Sequence, residues 1–159
     1  KITYKDIVIL LRTTSNIAPI YEKEMLDAGL PVFCDTTAEY LNSTEIQTIM
    51  SVLKIIDNPM QDIPLICTLR SPICNFTDND LVEIRLQDRK SNFYTAMQKA
   101  RVGANEKLRN KIDKFFEMLE QWKESLKTKA LDELIWEIYT KTNYYYYVRI
   151  AYKWKTETS

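Results

Sequence analysis

Histidine is absent from all 159 residues, which excludes histidine general bases, Ser-His-Asp and Cys-His nucleophile pairs and His-ligated zinc. Any chemistry must rest on carboxylates, lysine, tyrosine or a partner's residues. Glycine is nearly absent too, Gly29 and Gly103 being the only two. Neither a GxxxxGK[ST] phosphate loop nor a GxGxxG turn can be written with them, so this chain alone has no loop that grips a nucleotide. The three cysteines, Cys34, Cys67 and Cys74, lack CxxC spacing and describe neither a disulfide framework nor a four-thiolate metal site. They read as reduced, mostly buried thiols of an intracellular protein. No stretch approaches the ~20 apolar residues that span a bilayer, so no membrane role is expected, and no signal-peptide pattern opens the chain. An excess of either charge is missing as well, because Lys+Arg and Asp+Glu stand at 22 each. A nucleic-acid face would therefore have to come from local placement. The first residue is Lys1 and not methionine, which points to a piece of a longer chain.

What is present is ordinary globular material, 45% apolar and 28% charged, long enough for a sizeable core. Residues 6–11 form a continuous apolar run after one acid, the pattern of a strand covered on both faces in a parallel sheet. Ile17, Ile20, Tyr21, Met25 and Ala28 then recur at helical spacing, Gly29 stands where a helix ends, and residues 31–34 resume as a strand. The expectation is a small βαβ unit. Two parallel strands are not stable alone, so this unit reads as part of a larger α/β domain.

From residue 42 onward the pattern is helical. Thr44 with Gln47 reads as a capping box ahead of Ile46, Ile49, Met50, Leu53 and Ile56, with a stop at Asn58-Pro59. A short helix from Asp62 should end at Ser71-Pro72, since the residue before proline leaves the α region. Another starts at Thr77, and a third follows Ser91 with Phe93, Ala96, Met97 and Ala100 inward. The longest helix carries Leu108, Ile112, Phe115, Leu119, Trp122 and Leu126 on one stripe; a partner at 130–142 offers Leu134, Ile135 and Ile138, and the two should form a helical hairpin. Residues 149–159 show no periodicity and are expected to be an irregular tail.

Three groups could carry chemistry. Arg12, Thr13, Thr14 and Ser15 follow the apolar run and lead into a helix start, where open α/β sheets bind ligands; such a loop suits phosphate oxygens, or is only a polar turn capped by Thr14 or Ser15. Glu39, Glu45, Asp57 and Asp62 could in principle hold magnesium, yet Glu45 and Asp62 are explained by a first helical turn and an N-cap. The run Tyr144-Tyr145-Tyr146-Tyr147 near Arg149, Lys153 and Trp154 has the composition of a base-stacking platform; the preferred reading packs two of these tyrosines on the preceding helix. No catalytic residue and no metal site are expected.

The segments Tyr4-Lys5-Asp6-Ile7-Val8-Ile9-Leu10-Leu11-Arg12-Thr13, Ala18-Pro19-Ile20-Tyr21-Glu22 and Ala28-Gly29-Leu30-Pro31-Val32 resemble UvrD-like superfamily 1 DNA helicases. Glu45-Ile46-Gln47-Thr48, Asp57-Asn58-Pro59-Met60-Gln61-Asp62 and Leu69-Arg70-Ser71-Pro72 narrow the likeness to the AddA subunits of bacterial AddAB helicase/nucleases, over residues 2–148. The resemblance implies a mainly α fold with a small N-terminal βαβ unit: residues 1–41 as a partial RecA-like α/β segment, residues 42–148 as a helical insertion, and residues 149–159 as the tail. It implies a cytoplasmic parent that unwinds and digests DNA in double-strand-break repair, using ATP and magnesium, beside an AddB-like subunit. Walker motifs, arginine fingers and the nuclease domain would lie outside this chain, so the fragment itself needs no cofactor and should be inactive. In the family a Tyr-Arg-Ser/Thr-Asn segment contacts the translocating single strand; Arg12 and Thr13 match its middle, while Leu11 replaces the tyrosine and Thr14 the asparagine. The resemblance thus makes Arg12, Thr13 and Thr14 the DNA-binding residues. The rival expectation is a freestanding helical protein-interaction module without catalysis.

Overall fold

The computed structural model describes the backbone of residues 2–13, 17–34 and 41–157, with side chains in those spans as far as residue 150. Among the described residues a 3₁₀ turn, Tyr4–Asp6, is followed by helices α1 (Ala18–Asp27), α2 (Thr44–Asp57), α3 (Asp62–Arg70), α4 (Asp78–Gln87), α5 (Phe93–Gly103), α6 (Glu106–Thr128), α7 (Leu131–Lys141) and α8 (Tyr144–Glu157). Two compact units divide the chain, Lys1–Ile46 and Gln47–Ser159.

In the first unit the expected βαβ arrangement does not form. No strand exists among the described residues: part of the 6–11 run is the end of the 3₁₀ turn and the rest, like 31–34, is irregular. The physical reason is that a strand exists only when a neighbour supplies its ladder bonds, and none is at hand here. The apolar side chains meant for two covered faces are consequently exposed, Leu10 at 91% and Phe33 at 90%. The helix between them does form, because its signals are local. Pro19 occupies its first turn, and it closes through a Schellman motif. Gly29 N–H donates to Leu26 O at 2.9 Å and Leu30 N–H to Met25 O at 2.9 Å, with Gly29 at φ +74°, a conformation that a side chain would strain.

The second unit holds one continuous core. Ile49, Val52, Ile55 and Ile56 of α2 enter it, so the inward stripe is rotated from the expected one and leaves Met50 outside. The hydroxyl taking a first-turn amide of α2 is that of Ser43, which accepts from Ile46 N–H at 3.4 Å, one residue before the expected cap. α3 ends as its sequence dictates: Ser71, before Pro72, has ψ 162°. Buried hydroxyls are absorbed by the helices that carry them, Ser51 donating to Gln47 O at 2.8 Å and Thr68 to Pro64 O at 3.0 Å. α4 opens with a reciprocal box in which Asp80 N–H donates to Thr77 Oγ1 and Thr77 N–H to Asp80 Oδ2. α5 is the hub, packed on α3, α4 and α6; Ala96, Met97 and Ala100 are fully buried, and the two alanines let neighbours approach closely.

α6 and α7 pair as the expected hairpin, and Leu108, Ile112, Phe115, Leu119 and Trp122 join Leu134 and Ile138 in the core. Leu126 and Leu131, on either side of the connecting turn, are both exposed, so the tip of the hairpin is not packed. Asn143, at φ +57°, closes α7 and begins α8, donating its amide to Thr140 O while its carbonyl accepts from Tyr147 N–H. Residues 149–157, expected as an irregular tail, therefore continue a helix to Glu157.

Glu137 on α7 ties the hairpin together, accepting from Lys129 Nζ at 2.7 Å and Lys141 Nζ at 2.5 Å. Hydrogen bonds from these two ammonium groups, Lys129 first, hold its carboxyl at about 2, below its ordinary 4.5. A carboxyl whose folded pKa is depressed adds stability above its unfolded value, and that stability is lost as pH falls from 4.5 towards 2. Denaturant melts should show the wild type more stable than Glu137→Gln at pH 6, with the difference shrinking steadily down to pH ~3. A difference that stays constant with pH would show that the carboxylate charge contributes nothing.

Candidate nucleic-acid interface

Arg12 and Thr13 lie in the irregular chain between the 3₁₀ turn and α1, and both are exposed. Thr14, together with Ser15 and Asn16, falls outside the described residues. The N-cap position of α1 belongs to Ile17, whose side chain makes no capping hydrogen bond; the expected caps Thr14 and Ser15 lie outside the described residues. Among the described residues no carboxylate pairs with the Arg12 guanidinium. The segment thus keeps an accessible cation close in sequence to a helix start, without the buried strand end from which it was expected to project.

The acids do not assemble. Among the described residues no three or more Asp, Glu or Cys groups converge as metal ligands. Asp57 is exposed at the end of α2, and Glu39 lies outside the described residues. Asp62 is committed elsewhere: it is the first residue of α3, not its cap, and its carboxylate accepts from Phe93 N–H at 2.7 Å and Arg85 at 3.1 Å. The Cys74 thiol is equally unsuited to chemistry, since burial pushes it up to about 12 against the weaker pull of Lys114. An open cavity of about 230 Å³ lies beside it, lined by Phe76, Lys111, Lys114 and Met118 among others. Lys111 there is spent on Asp80 at 2.6 Å and Asn75 O at 3.2 Å, over the Phe76 ring.

The tyrosine run forms a layered surface on α7 and α8. Tyr144 is buried and stacks on Tyr139 with ring centroids 6.2 Å apart and planes at 9°; Tyr147 continues the stack on Tyr144 at 6.2 Å and 15°. Trp136 meets Tyr145 at 5.8 Å, edge to face, so two tyrosines of the run do pack on the preceding helix. Tyr145, Tyr146 and Tyr147 nonetheless remain substantially exposed, with Trp136 at 59% and Tyr147 at 54%. Sequence reading passed over Trp136. Its signal was positional, since it lies off the Leu134 and Ile138 stripe and one turn from Tyr139.

No helix among the described residues is long and apolar enough to cross a membrane. Residues 1–158, which include the Arg12 segment and both helices of the aromatic surface, match the UvrD-like helicase C-terminal domain family. The chain belongs to that family. Over 147 residues it is 45% identical to an ATP-dependent helicase/nuclease subunit from Thermoanaerobacter sp., an alignment covering 92% of this chain and 12% of that protein. The protein of the same name from Clostridium botulinum is 42% identical over 170 residues, covering 91% of this chain and 13% of its own length. The chain therefore spans about one eighth of the length of these relatives.

Proposed function

We propose that this chain is part of an ATP-dependent DNA helicase/nuclease of the AddA kind, acting in double-strand-break repair and recombination. The observation that carries the reading is the UvrD-like family match over residues 1–158 together with 45% identity to an ATP-dependent helicase/nuclease subunit. Residues 1–41 are the start of a RecA-like motor segment whose strands complete only beside the rest of the motor sheet; exposure of Leu10 and Phe33 supports this, because both are shaped to be covered. Residues 42–148 are a helical insertion that serves as scaffold and as docking surface for an AddB-like partner. ATP and magnesium belong to motor and nuclease parts of the parent enzyme. This chain supplies no catalytic residue. It supplies Arg12, Thr13 and Thr14 to the backbone of the translocating single strand, where a guanidinium pairs well with phosphate and hydroxyls add donors.

The test is Arg12→Ala in the full-length enzyme. Single-strand binding should weaken to a similar degree for all sequences, and the slope of log K against log salt should fall by about 0.7, one phosphate's worth on a single strand. A second reading, the freestanding helical interaction module, is favoured by the core that residues of the second unit form by themselves. Under that reading the substitution leaves both the affinity and the salt slope unchanged.

A further inference from the structure

The exposed aromatic surface of α7 and α8 is not used by the Arg12 site. Between Glu137 and Glu157 the chain carries Lys141, Arg149, Lys153 and Lys155 without a single acid, and seven aromatic residues in the same nineteen positions. Glu137 is held between Lys129 and Lys141, so Lys141 is committed to that carboxylate. Arg149 is exposed on α8, one turn from Tyr145 and Tyr146, and no carboxylate among the described residues pairs with it. Arg149 is thus a cation beside the exposed rings that a phosphate can pair with. The rings are already ordered: Tyr139, Tyr144 and Tyr147 lie nearly parallel, and the last of these is more than half exposed. Another flat ring can extend that stack. Because Trp136 and Tyr145 brace each other edge to face, holding their side chains for a ligand costs little further entropy.

We propose that this surface is a stacking platform for unpaired nucleotides of a single nucleic-acid strand, with Arg149 on the backbone phosphates. Bases stack on the exposed rings, and Arg149 meets the backbone of the strand; sequence preference is weak because every base has a π-face. The site lies wholly on the second unit and does not depend on Arg12.

The experiment is fluorescence anisotropy of a labelled oligothymidylate, longer than the ~4–16 nucleotides such platforms occupy, titrated with the full 159-residue chain. Three competitors follow: unlabelled single strand, duplex of the same length, and an abasic strand. The single strand should compete best, the abasic strand poorly. Tyr147→Ala and Trp136→Ala should each weaken binding by about five- to a hundredfold, the range for losing one stacking ring, with circular dichroism unchanged because both rings are exposed. Arg149→Ala should lower the salt slope by about 0.7, and Arg12→Ala measured alongside should leave stacking intact. Equal competition by abasic and ordinary strands overturns the proposal, as does loss of binding in Arg12→Ala with no effect of Tyr147→Ala. Absence of any oligonucleotide binding also overturns it and assigns the surface to a protein contact.

Discussion

Replacing Trp122 with alanine should lower the unfolding free energy of the second unit by about 3–5 kcal/mol, the cost of deleting a core aromatic. Trp122 is almost wholly buried near the end of the inward stripe of α6, in the same core as Leu119, Leu134 and Ile138. Its removal opens a void where two helices meet, and close-packed neighbours relax only partly into such a space. The effect should appear as a lower midpoint in a urea melt with little change in slope. Leu126→Ala, one turn further along the same helix, serves as the control: Leu126 is exposed, so its loss should cost under about 0.5 kcal/mol. A Trp122→Ala change below about 1 kcal/mol would mean that the hairpin is not part of the cooperative core.

The contrast between these two positions shows what the sequence could and could not tell. Spacing by three and four placed Trp122 and Leu126 on one stripe, and nothing in the pattern says that the stripe outruns its partner before the turn to α7. Helix ends were legible because their signals are covalent neighbours: the Thr77 box, Ser71 before Pro72, Gly29 after Ala28. The strands were misread because a strand is a property of a pair, and an apolar run such as 6–11 carries no information on whether its partners are present. α8 was missed since four consecutive tyrosines mask any period, although Asn143 was a readable signal of a left-handed helix end. Of the candidate site, Arg12 and Thr13 were singled out by their place ahead of a helix start and again by the family resemblance; the aromatic surface was legible in composition but not in exposure.

Asp62→Ala should cost about 2–3 kcal/mol, the second largest effect expected of a single side chain here. The sequence presents Asp62 as an N-cap, but its partners lie far along the chain. One carboxylate oxygen accepts the Phe93 N–H, 31 residues away, at the first turn of α5; the other meets Arg85 of α4, 23 residues away. Arg85 in turn donates to Ser91 O at 2.7 Å and lies 5.0 Å over the ring of Phe93, which is itself in the core. Three helix segments therefore converge on one carboxylate. The ion pair alone is worth little, because Asp62 and Arg85 are 40% and 33% exposed and water screens them. What raises the cost is the amide of Phe93, left without its acceptor at the start of the central helix, and the guanidinium released from its fixed place. Asp62→Asn separates the two contributions, since an amide oxygen still accepts from Phe93 N–H while the charge is gone. It should recover more than half of the loss, and a cycle with Arg85→Met should give a coupling below about 1 kcal/mol. If Asn is as damaging as Ala, charge and not the capped amide holds α3, α4 and α5 together.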